Sequence, residues 1–243
     1  MKKRIRIMIC VLVSLAVVNS VVPVYAFSTD ETSMSCGAKE ATPEEMKAAA
    51  MENPGDDAFG DEEEGNRATM EWYSLSIHYF GQELAYSCGP ASVRMILRHV
   101  TGSTYSESVI RNNTNYDPTS GTYLVDLVNY INQVQSFNSY SRKYGQTKAN
   151  MNTHLLRSIK VNDAPAIIGV VESASTSFPY NGTGGHFIVV YAYKSTKDSA
   201  MVCDPWAGYV SDPTNERYEI STDDLYDGYD SINCGYGADI SIF

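Results

Sequence analysis

Two residues give the clearest chemical signal in this chain of 243 residues, a cysteine and a histidine that lie far apart in the sequence. Cys88 stands where a helix is predicted to begin, and there unsatisfied backbone N–H groups and the positive end of the helix dipole stabilise a thiolate. His186 follows Gly184-Gly185 and begins an apolar, β-branched run, so a buried strand would hold its ring rigidly. A thiolate and an imidazole brought together perform acyl-transfer chemistry.

The remaining histidines give no catalytic or metal-binding signal. We interpret His78, His99 and His154 as structural or solvated side chains, because none of them begins a buried strand after flexible residues. No pair of cysteines or histidines has the spacing of metal ligands, and no His-Glu-x-x-His helix or phosphate-binding glycine loop is present. We therefore expect neither a metal nor a cofactor.

The cysteines allow several disulfide arrangements. Once Cys10 leaves with the signal peptide described below, Cys36, Cys88, Cys203 and Cys234 remain, and four cysteines permit three connectivities. Cys203 and Cys234 either form a bridge or are two separate buried thiols. Cys36 could also form a disulfide with Cys88 and keep it inactive until reduction.

The elements that must position these residues change in type along the chain. Residues 73–79 alternate apolar and polar side chains, which predicts a half-buried strand. A helix is predicted from Cys88 to Val100 with Gly102 ending it, and Thr104 and Glu107 resemble a capping box. Further helices are predicted around Leu124–Ile131 and Leu155–Ile159, and strands over Ala164–Glu172, His186–Lys194, Ala200–Asp204, Arg217–Ile220 and Ala238–Phe243. Helices followed by strands predict an α+β fold with segregated layers.

The first 26 residues have the pattern of a secretion signal. A basic start is followed by the uncharged apolar stretch Ile7 to Val18, and Val24 and Ala26 provide the residues expected at a cleavage site. An uncleaved anchor is less favoured because the apolar stretch is short for a span of about 20 residues. We expect a secreted, extracellular bacterial protein that has no stable membrane insertion after cleavage behind Ala26.

Acidic residues are concentrated in the segment that follows. The chain has 18 Lys and Arg against 29 Asp and Glu, a net charge of −11, and residues 27–68 alone contain twelve acidic and three basic residues. An acidic chain argues against nucleic acid as a partner. We expect residues 27–68 to be a disordered linker, or a prosegment that inhibits the active site, and residues 69–243 to form one domain.

Four stretches of the sequence resemble those of a known family. The string Gln82 to Ser92 (QELAYSCGPAS) closely resembles the nucleophile motif of the papain-like peptidases related to bacteriocin-leader processing, cysteine peptidase family 39. Gly185 to Val190 (GHFIVV) is similar to the Gly-His-apolar strand of that family, and Asp204-Pro205 to its Asp-Pro motif. Ala164 to Ile168 resembles the strand that precedes the histidine.

The resemblance implies a fold and a role for each motif residue. The fold would be papain-like, with a helical lobe packed on an antiparallel β-sheet. Cys88 would be the nucleophile, His186 the general base and acid, Asp204 the residue that orients the imidazole, and Gln82 a donor of the oxyanion hole. Trp206, beside Asp204, would shield their hydrogen bond, line the substrate site, or be an ordinary core aromatic.

The chain departs from the leader-processing enzymes because it has an export signal and no transporter domain. It resembles instead a stand-alone secreted branch, so a thiol-dependent peptidase acting on a peptide or protein is the favoured prediction. Two alternatives stay open. One is another Cys-His-Asp acyl-transfer enzyme, such as a transglutaminase-like enzyme or a cell-wall amidase. The other is a binding module on the same fold without catalysis.

Overall fold

The structure of the chain is a computed structural model that describes residues 38, 44, 70–232, 240 and 241, the last two by their backbone alone. The predicted signal peptide lies outside these residues, as does the acidic segment except for residues 38 and 44. The domain boundary at residue 69 therefore stays a prediction. Among the residues that are described, no helix is both long enough and apolar enough to cross a membrane.

Helices precede most of the strands along the chain. The helices are α1 (Cys88–Thr101), α2 (Glu107–Asn113), α3 (Leu124–Val134), α4 (Lys148–Lys160), α5 (Pro205–Tyr209) and α6 (Thr222–Ile232). The strands are β1 (Trp72–Ser74), β2 (Ser139–Tyr140), β3 (Ala166–Val171), β4 (Gly185–Lys194), β5 (Ser199–Cys203), β6 (Arg217–Ser221) and β7 (Ile240–Ser241). Short 3₁₀ turns cover Glu172–Ala174 and Pro213–Asn215. The predicted α+β class is confirmed.

Strand β4 is the centre of a five-stranded sheet in which every pairing is antiparallel. Strands β3 and β1 share one edge of β4, while β5 and then β6 extend the sheet from the other edge. All residues from His186 to Tyr193 are buried. Both faces of β4 are therefore covered, as the apolar run in its sequence predicts.

Helices cover the sheet and complete the core. Helix α1 packs against β4 and against α2 and α3, while α6 packs against β3. The interior face of α1 includes Val93, Met95, Ile96 and Leu97. The helix ends where predicted, because Gly102 adopts a left-handed conformation with φ of 70° that glycine tolerates well.

Strand β1 is shorter than the alternation over residues 73–79 predicts. Beyond it, the carbonyl of Ser76 lies 3.0 Å from Nδ1 of His99, and the carbonyl of Ile77 accepts a hydrogen bond from Arg217 at 3.3 Å. Side chains thus take the hydrogen bonds that a neighbouring strand would make. His99 therefore links α1 to the segment after β1.

The start of α2 also differs from the predicted capping box. The N-cap is Ser106 rather than Thr104, and its hydroxyl accepts from the N–H of Val109 at 3.3 Å. Glu107 is buried, and its carboxylate accepts from the N–H of Glu83 at 2.9 Å. Its carboxylate is thus used to hold a distant loop instead of closing a capping box.

Three elements near the end of the chain were not foreseen in this form. The sequence pattern predicts neither α5 nor α6. Of the strand predicted over Ala238–Phe243, the structure describes β7, which pairs with β2 outside the main sheet. The C-terminal half therefore contains more helix than its polar sequence indicates.

Candidate active site

Cys88 is the first residue of α1 and is fully buried. The turn before it is fixed by Ser87, whose hydroxyl accepts from the N–H of Leu84 at 3.0 Å and donates to the carbonyl of Leu84 at 2.9 Å. The first turn of α1 contains no acidic residue. No carboxylate in that turn therefore opposes the stabilisation of a thiolate by the helix dipole.

The sulfur of Cys88 contacts the beginning of strand β4. It accepts a hydrogen bond from the N–H of Phe187, with an N···S distance of 3.5 Å. Phe187 directly follows His186 in the chain. The start of the helix and the start of the strand, which carry the predicted nucleophile and base, therefore meet at this bond.

His186 and Asp204 form the shortest side-chain contact of the site. Both are fully buried, and Nε2 of His186 lies 2.7 Å from Oδ1 of Asp204. His186 is the second residue of β4, and Asp204 directly follows the neighbouring β5. The antiparallel pairing of these two strands brings both side chains to the same end of the sheet.

Asp204 is held by its backbone as well as by its carboxylate. Its Oδ1 also accepts from the N–H of Trp206 at 2.9 Å, which makes it the N-cap of α5. Its carbonyl accepts from the hydroxyl of Tyr79 at 2.9 Å, and its N–H donates to the carbonyl of Glu216 at 3.1 Å. The ring of Trp206 lies beside Tyr209, with 4.9 Å between ring centroids.

Gln82 lies on the segment that leads to the nucleophile turn, and it is nearly fully buried. Its amide nitrogen donates to the carbonyls of Leu84 and Ala85 at 2.7 and 3.1 Å. Its backbone N–H donates to the carbonyl of Pro205 at 2.9 Å, which joins this segment to the start of α5. To bind an oxyanion, the amide must exchange one of its carbonyl partners for the substrate oxygen.

A fourth buried group, Glu172, lies beside the histidine and the aspartate. Sequence reasoning missed it, although an acid that ends the apolar run of β3 is a signal for a buried charge. The pKa of Glu172 is raised to about 8, chiefly by burial, with the charge of His186 lowering it and that of Asp204 raising it. Its environment therefore favours the neutral, protonated form of the carboxyl group.

Glu172, His186 and Asp204 also form the one group of potential metal-binding side chains found in the described part of the chain. One ligand-type atom from each lies within 4.8 Å of the others. The imidazole nitrogen and a carboxylate oxygen are already hydrogen-bonded to each other. A cation held by Nε2 of His186 and Oδ1 of Asp204 would have to break that bond.

Cys203 is a second reduced thiol, at the end of β5. Burial raises the pKa of this thiol to about 12, against the opposing effect of Arg217. A thiol with this pKa is unreactive at neutral pH. Cys36 and Cys234, the other partners of the predicted disulfides, lie outside the described residues.

Comparisons with known proteins give a family from one source and a fold from another. A model of the Peptidase_C39 like family matches residues 74–231. A solved structure of a C39-like peptidase from Bacillus anthracis is similar with a TM-score of 0.52 and 14 % identity, covering 71 % of this chain and 100 % of that chain. The peptidase domain of Streptococcus ComA, a bifunctional ABC transporter of a quorum-sensing pathway, gives a TM-score of 0.45 and 19 % identity, over 68 % of this chain and 100 % of that chain.

No curated protein matches the chain. The similarity to the Bacillus anthracis structure confirms the predicted papain-like architecture, a helical lobe on an antiparallel sheet.

Proposed function

The chain belongs to the Peptidase_C39 like family of cysteine peptidases, and from this premise we propose that it hydrolyses peptide bonds with Cys88 as nucleophile, His186 as general base and acid, and Asp204 orienting the imidazole. One observation supports this proposal above the others. The start of α1 and the start of β4 meet at the sulfur of Cys88, while the ring of His186 is fixed by a 2.7 Å bond to Asp204. Three groups with complementary chemistry thus lie at one junction.

The first half of the reaction forms a thioester. Because Nε2 of His186 is bonded to Asp204, Nδ1 is the ring nitrogen that takes the proton of the Cys88 thiol. The thiolate attacks the substrate carbonyl carbon, and the carbonyl π electrons move to the oxygen. As the tetrahedral intermediate collapses, the C–N bond breaks and the imidazolium protonates the leaving amine.

Water then resolves the thioester. His186 removes a proton from the water, the hydroxide attacks the acyl carbon, and the C–S bond breaks to release a carboxylic acid and the regenerated thiol. In both halves an oxyanion develops at the start of α1, where the backbone N–H of Cys88 and the amide of Gln82 are the proposed donors. One such donor typically contributes about 2.7–4 kcal/mol to the transition state.

We also propose that the protein is exported and acts outside the cell. The support for this is the sequence of residues 1–26, which has a basic start, an apolar stretch and small residues before the cleavage site at Ala26. N-terminal sequencing of the protein recovered from culture medium tests the proposal. A mature chain that begins at Phe27 is expected, and retention of residues 1–26 in the cell fraction would contradict it.

The acidic segment is proposed to hold the enzyme latent. Ala38 is buried, its N–H donates to the carbonyl of Gly185 at 2.8 Å, and it forms a parallel bridge with Thr122 just before α3. Gly185 directly precedes His186, and a Cβ there would collide with the carbonyl oxygen of Ala38. Residue 38 thus lies beside the site, where a substrate backbone would compete for the same groups.

Latency can be tested by comparing residues 27–243 with residues 69–243, each with and without reductant. The longer form should hydrolyse substrate more slowly than the shorter one. Activation of only the longer form by reductant would support a disulfide between Cys36 and Cys88. Equal activity in all four conditions would exclude both inhibition by the bound segment and inhibition by a Cys36–Cys88 disulfide.

The catalytic assignment is tested by thiol labelling followed by peptide mass spectrometry. Iodoacetamide at low pH should label Cys88 in the folded protein and leave Cys203 unmodified. His186→Ala should abolish the selectivity, and Cys88→Ala should abolish turnover. Gln82→Ala should slow hydrolysis by roughly 100-fold or more. Wild-type turnover by Cys88→Ala would refute the assignment.

Three substrates separate peptide hydrolysis from the alternative reactions. Casein reports a peptidase, casein with a fluorescent amine reports acyl transfer, and peptidoglycan fragments report a cell-wall amidase. Cleaved casein without incorporated amine is the result we expect. Amine incorporation or release of peptidoglycan peptides in its place would assign the same residues to the other chemistry.

A further inference from the structure

A third titratable group lies behind the His186–Asp204 pair. Glu172 is the first residue after β3, and the ladder between β3 and β4 places Val170 opposite His186. Its side chain is fully buried. Since oxygen atoms of Glu172 and Asp204 and a ring nitrogen of His186 all lie within 4.8 Å of one another, the glutamate belongs to the surroundings of the pair.

The two carboxylate oxygens of Asp204 differ in their hydrogen bonds. Oδ1 accepts from His186 and from Trp206, whereas Oδ2 is buried without a hydrogen bond. Both oxygens of Glu172 and the hydroxyl of Tyr218 are also buried without one. Buried polar groups in this state are costly, and these three neighbours can satisfy each other only if a proton is available among the carboxyl groups.

The charged groups around Glu172 favour a proton on one of the two carboxyl groups. The titratable groups that face it are His186 on β4, Asp204 after β5 and Tyr218 on β6, and the backbone N–H of Gly182 also faces it. On α6, Asp224 instead binds hydroxyl groups of serines. One imidazolium cannot neutralise two carboxylates, and two ionised carboxylates at this distance repel each other strongly in a buried site.

We propose that Glu172 is a positioning residue for the catalytic pair, a neutral acid whose proton is donated to Oδ2 of Asp204 and so holds Oδ1 towards His186. This inference rests on the proposed function of His186 and Asp204. The proton stays on Glu172 throughout the reaction, so Asp204 keeps its single negative charge and no proton is gained or lost. Tyr218 can then donate its hydroxyl hydrogen to an oxygen of Glu172 or Asp204.

The raised pKa of Glu172 agrees with this arrangement. With a pKa of about 8, Glu172 is neutral in weakly acidic and neutral solution and ionises in mildly alkaline solution. Ionisation would remove the hydrogen bond to Asp204 and place a second negative charge beside the pair. The orientation of Asp204 should therefore be lost at alkaline pH in the wild type.

Two spectroscopic measurements on the mature chain test the proposal without requiring a substrate. The infrared difference spectrum between wild type and Glu172→Gln reports an un-ionised carboxylic acid, and the NMR signal of the proton on Nε2 of His186 reports the hydrogen bond to Asp204. The rate of Cys88 alkylation by iodoacetamide is measured in parallel. Glu219→Gln is the matched control, because it removes an exposed carboxyl at the position next to Tyr218 on β6.

The wild type should show the carboxylic acid band at pH 6.5, and the band should disappear with a midpoint near pH 8. Glu172→Gln keeps an N–H donor and cannot ionise, so its ring signal and alkylation rate at pH 6.5 should stay within about threefold of wild type, without an inflection near pH 8. Glu172→Ala should weaken the ring signal and slow alkylation by roughly 10–100-fold. Glu219→Gln should behave as wild type.

Three results would overturn the proposal. They are the absence of the acid band at pH 6.5, a Glu172→Gln variant as impaired as Glu172→Ala, and a Tyr218→Phe variant that loses the ring signal while Glu172→Ala keeps it. If Glu172→Ala does not fold, the acid band still decides, together with the comparison of wild type and Glu172→Gln across the inflection near pH 8. If Cys88 is unreactive even in reduced residues 69–243, which lack the latency segment, the proposed function fails, whereas the two spectroscopic measurements still test Glu172.

Discussion

One oxygen of Asp204 serves two neighbours at once. Oδ1 accepts from the ring of His186 and from the backbone of Trp206, so the same atom orients the imidazole and caps α5. The position of the carboxylate is therefore determined by the backbone that follows it. The orientation of the Asp204 carboxylate therefore depends on the start of α5, a helix of five residues.

Substitutions at Asp204 should separate these two roles. Asp204→Asn keeps an oxygen for Trp206 but loses the charge, so hydrolysis should slow by at least about tenfold while the melting temperature stays near that of wild type. Asp204→Ala should also lose the cap, at a cost of about 1 kcal/mol in unfolding free energy. Steady-state kinetics and thermal unfolding of both variants measure the difference. Equal melting temperatures for the two would show that the cap contributes nothing.

The protonation of Glu172 should make stability depend on pH. Its pKa is about 8 in the folded protein and near the ordinary value of 4.5 in the unfolded chain, so the folded state holds the extra proton between these values. Stability should therefore fall as pH rises from about 5 to 8, by at most about 1.4 kcal/mol per pH unit. Urea unfolding of wild type and Glu172→Gln at several pH values measures it. A slope that persists unchanged in Glu172→Gln would contradict the prediction.

At the scale of elements, the loop before α1 and helix α5 touch through two glycines. A Cβ on Gly81 would lie 2.6 Å from Cα of Gly208, and a Cβ on Gly208 would collide with Cα of Gly81. Next to this contact, the N–H of Gln82 donates to the carbonyl of Pro205. The segment that holds Gln82 is therefore packed against the segment that begins with Asp204.

Gly208→Ala should force these two segments apart. Overpacking of this kind costs about 1–3 kcal/mol, and the displacement of Gln82 should lower the hydrolysis rate more than the alkylation rate of Cys88. Gly102→Asn is the control, because a Cβ there meets no other atom within 4 Å and asparagine tolerates the left-handed backbone. Unfolding and kinetics that match wild type for Gly208→Ala would disprove the close packing.

The elements that sequence reasoning predicted are those with clear local signals. Helix α1 is bounded by a glycine-proline pair and by Gly102, and the apolar run of β4 is buried on both faces. Helix α6 lacked such a signal, because its sequence TDDLYDGYDSI has few apolar residues and a glycine in its interior. It forms because Leu225 and Tyr229 pack into the core, a tertiary contact that periodicity does not reveal.

Among the site residues, too, local sequence patterns revealed some, whereas tertiary contacts were needed to reveal others. Cys88 and His186 occupy a helix start and a strand start, positions that the sequence indicates, and the family resemblance added Asp204 and Gln82. The only local signal at Glu172 is its place at the end of the apolar run of β3, which does not reveal its neighbours. Its closeness to Asp204 follows from the register of β3 against β4 and from the pairing of β4 with β5.

At the scale of the whole molecule, Ala38 of the N-terminal segment contacts both layers of the fold. Ala38 bonds to Gly185 on the sheet and bridges Thr122 beside the helices. Cys88 and His186 are fully buried at the same junction. A substrate must therefore displace some part of the protein before it can reach the sulfur, and this segment is the part we propose.

Enlarging residue 38 should release the segment. Ala38 is only 8 % exposed, so an indole at this position has no room between Thr122 and Gly185. In residues 27–243, Ala38→Trp should speed alkylation of Cys88 by about tenfold or more, since overpacking destabilises the bound segment. Ala58→Trp, a substitution elsewhere in the acidic segment, is the control. If both variants react at the wild-type rate, residue 38 does not limit access.

The contact of Ala38 with Gly185 is intramolecular, and this determines how such an enzyme would respond to dilution. A tethered segment rebinds at an effective concentration set by its linker, in the millimolar range for short flexible chains, whatever the amount of enzyme in the medium. Under the proposed export and latency, a molecule far from its cell would therefore stay inactive. A single cut in the tether would turn the same segment into a separate peptide that diffuses away, so that the first dilution after the cut makes activation irreversible.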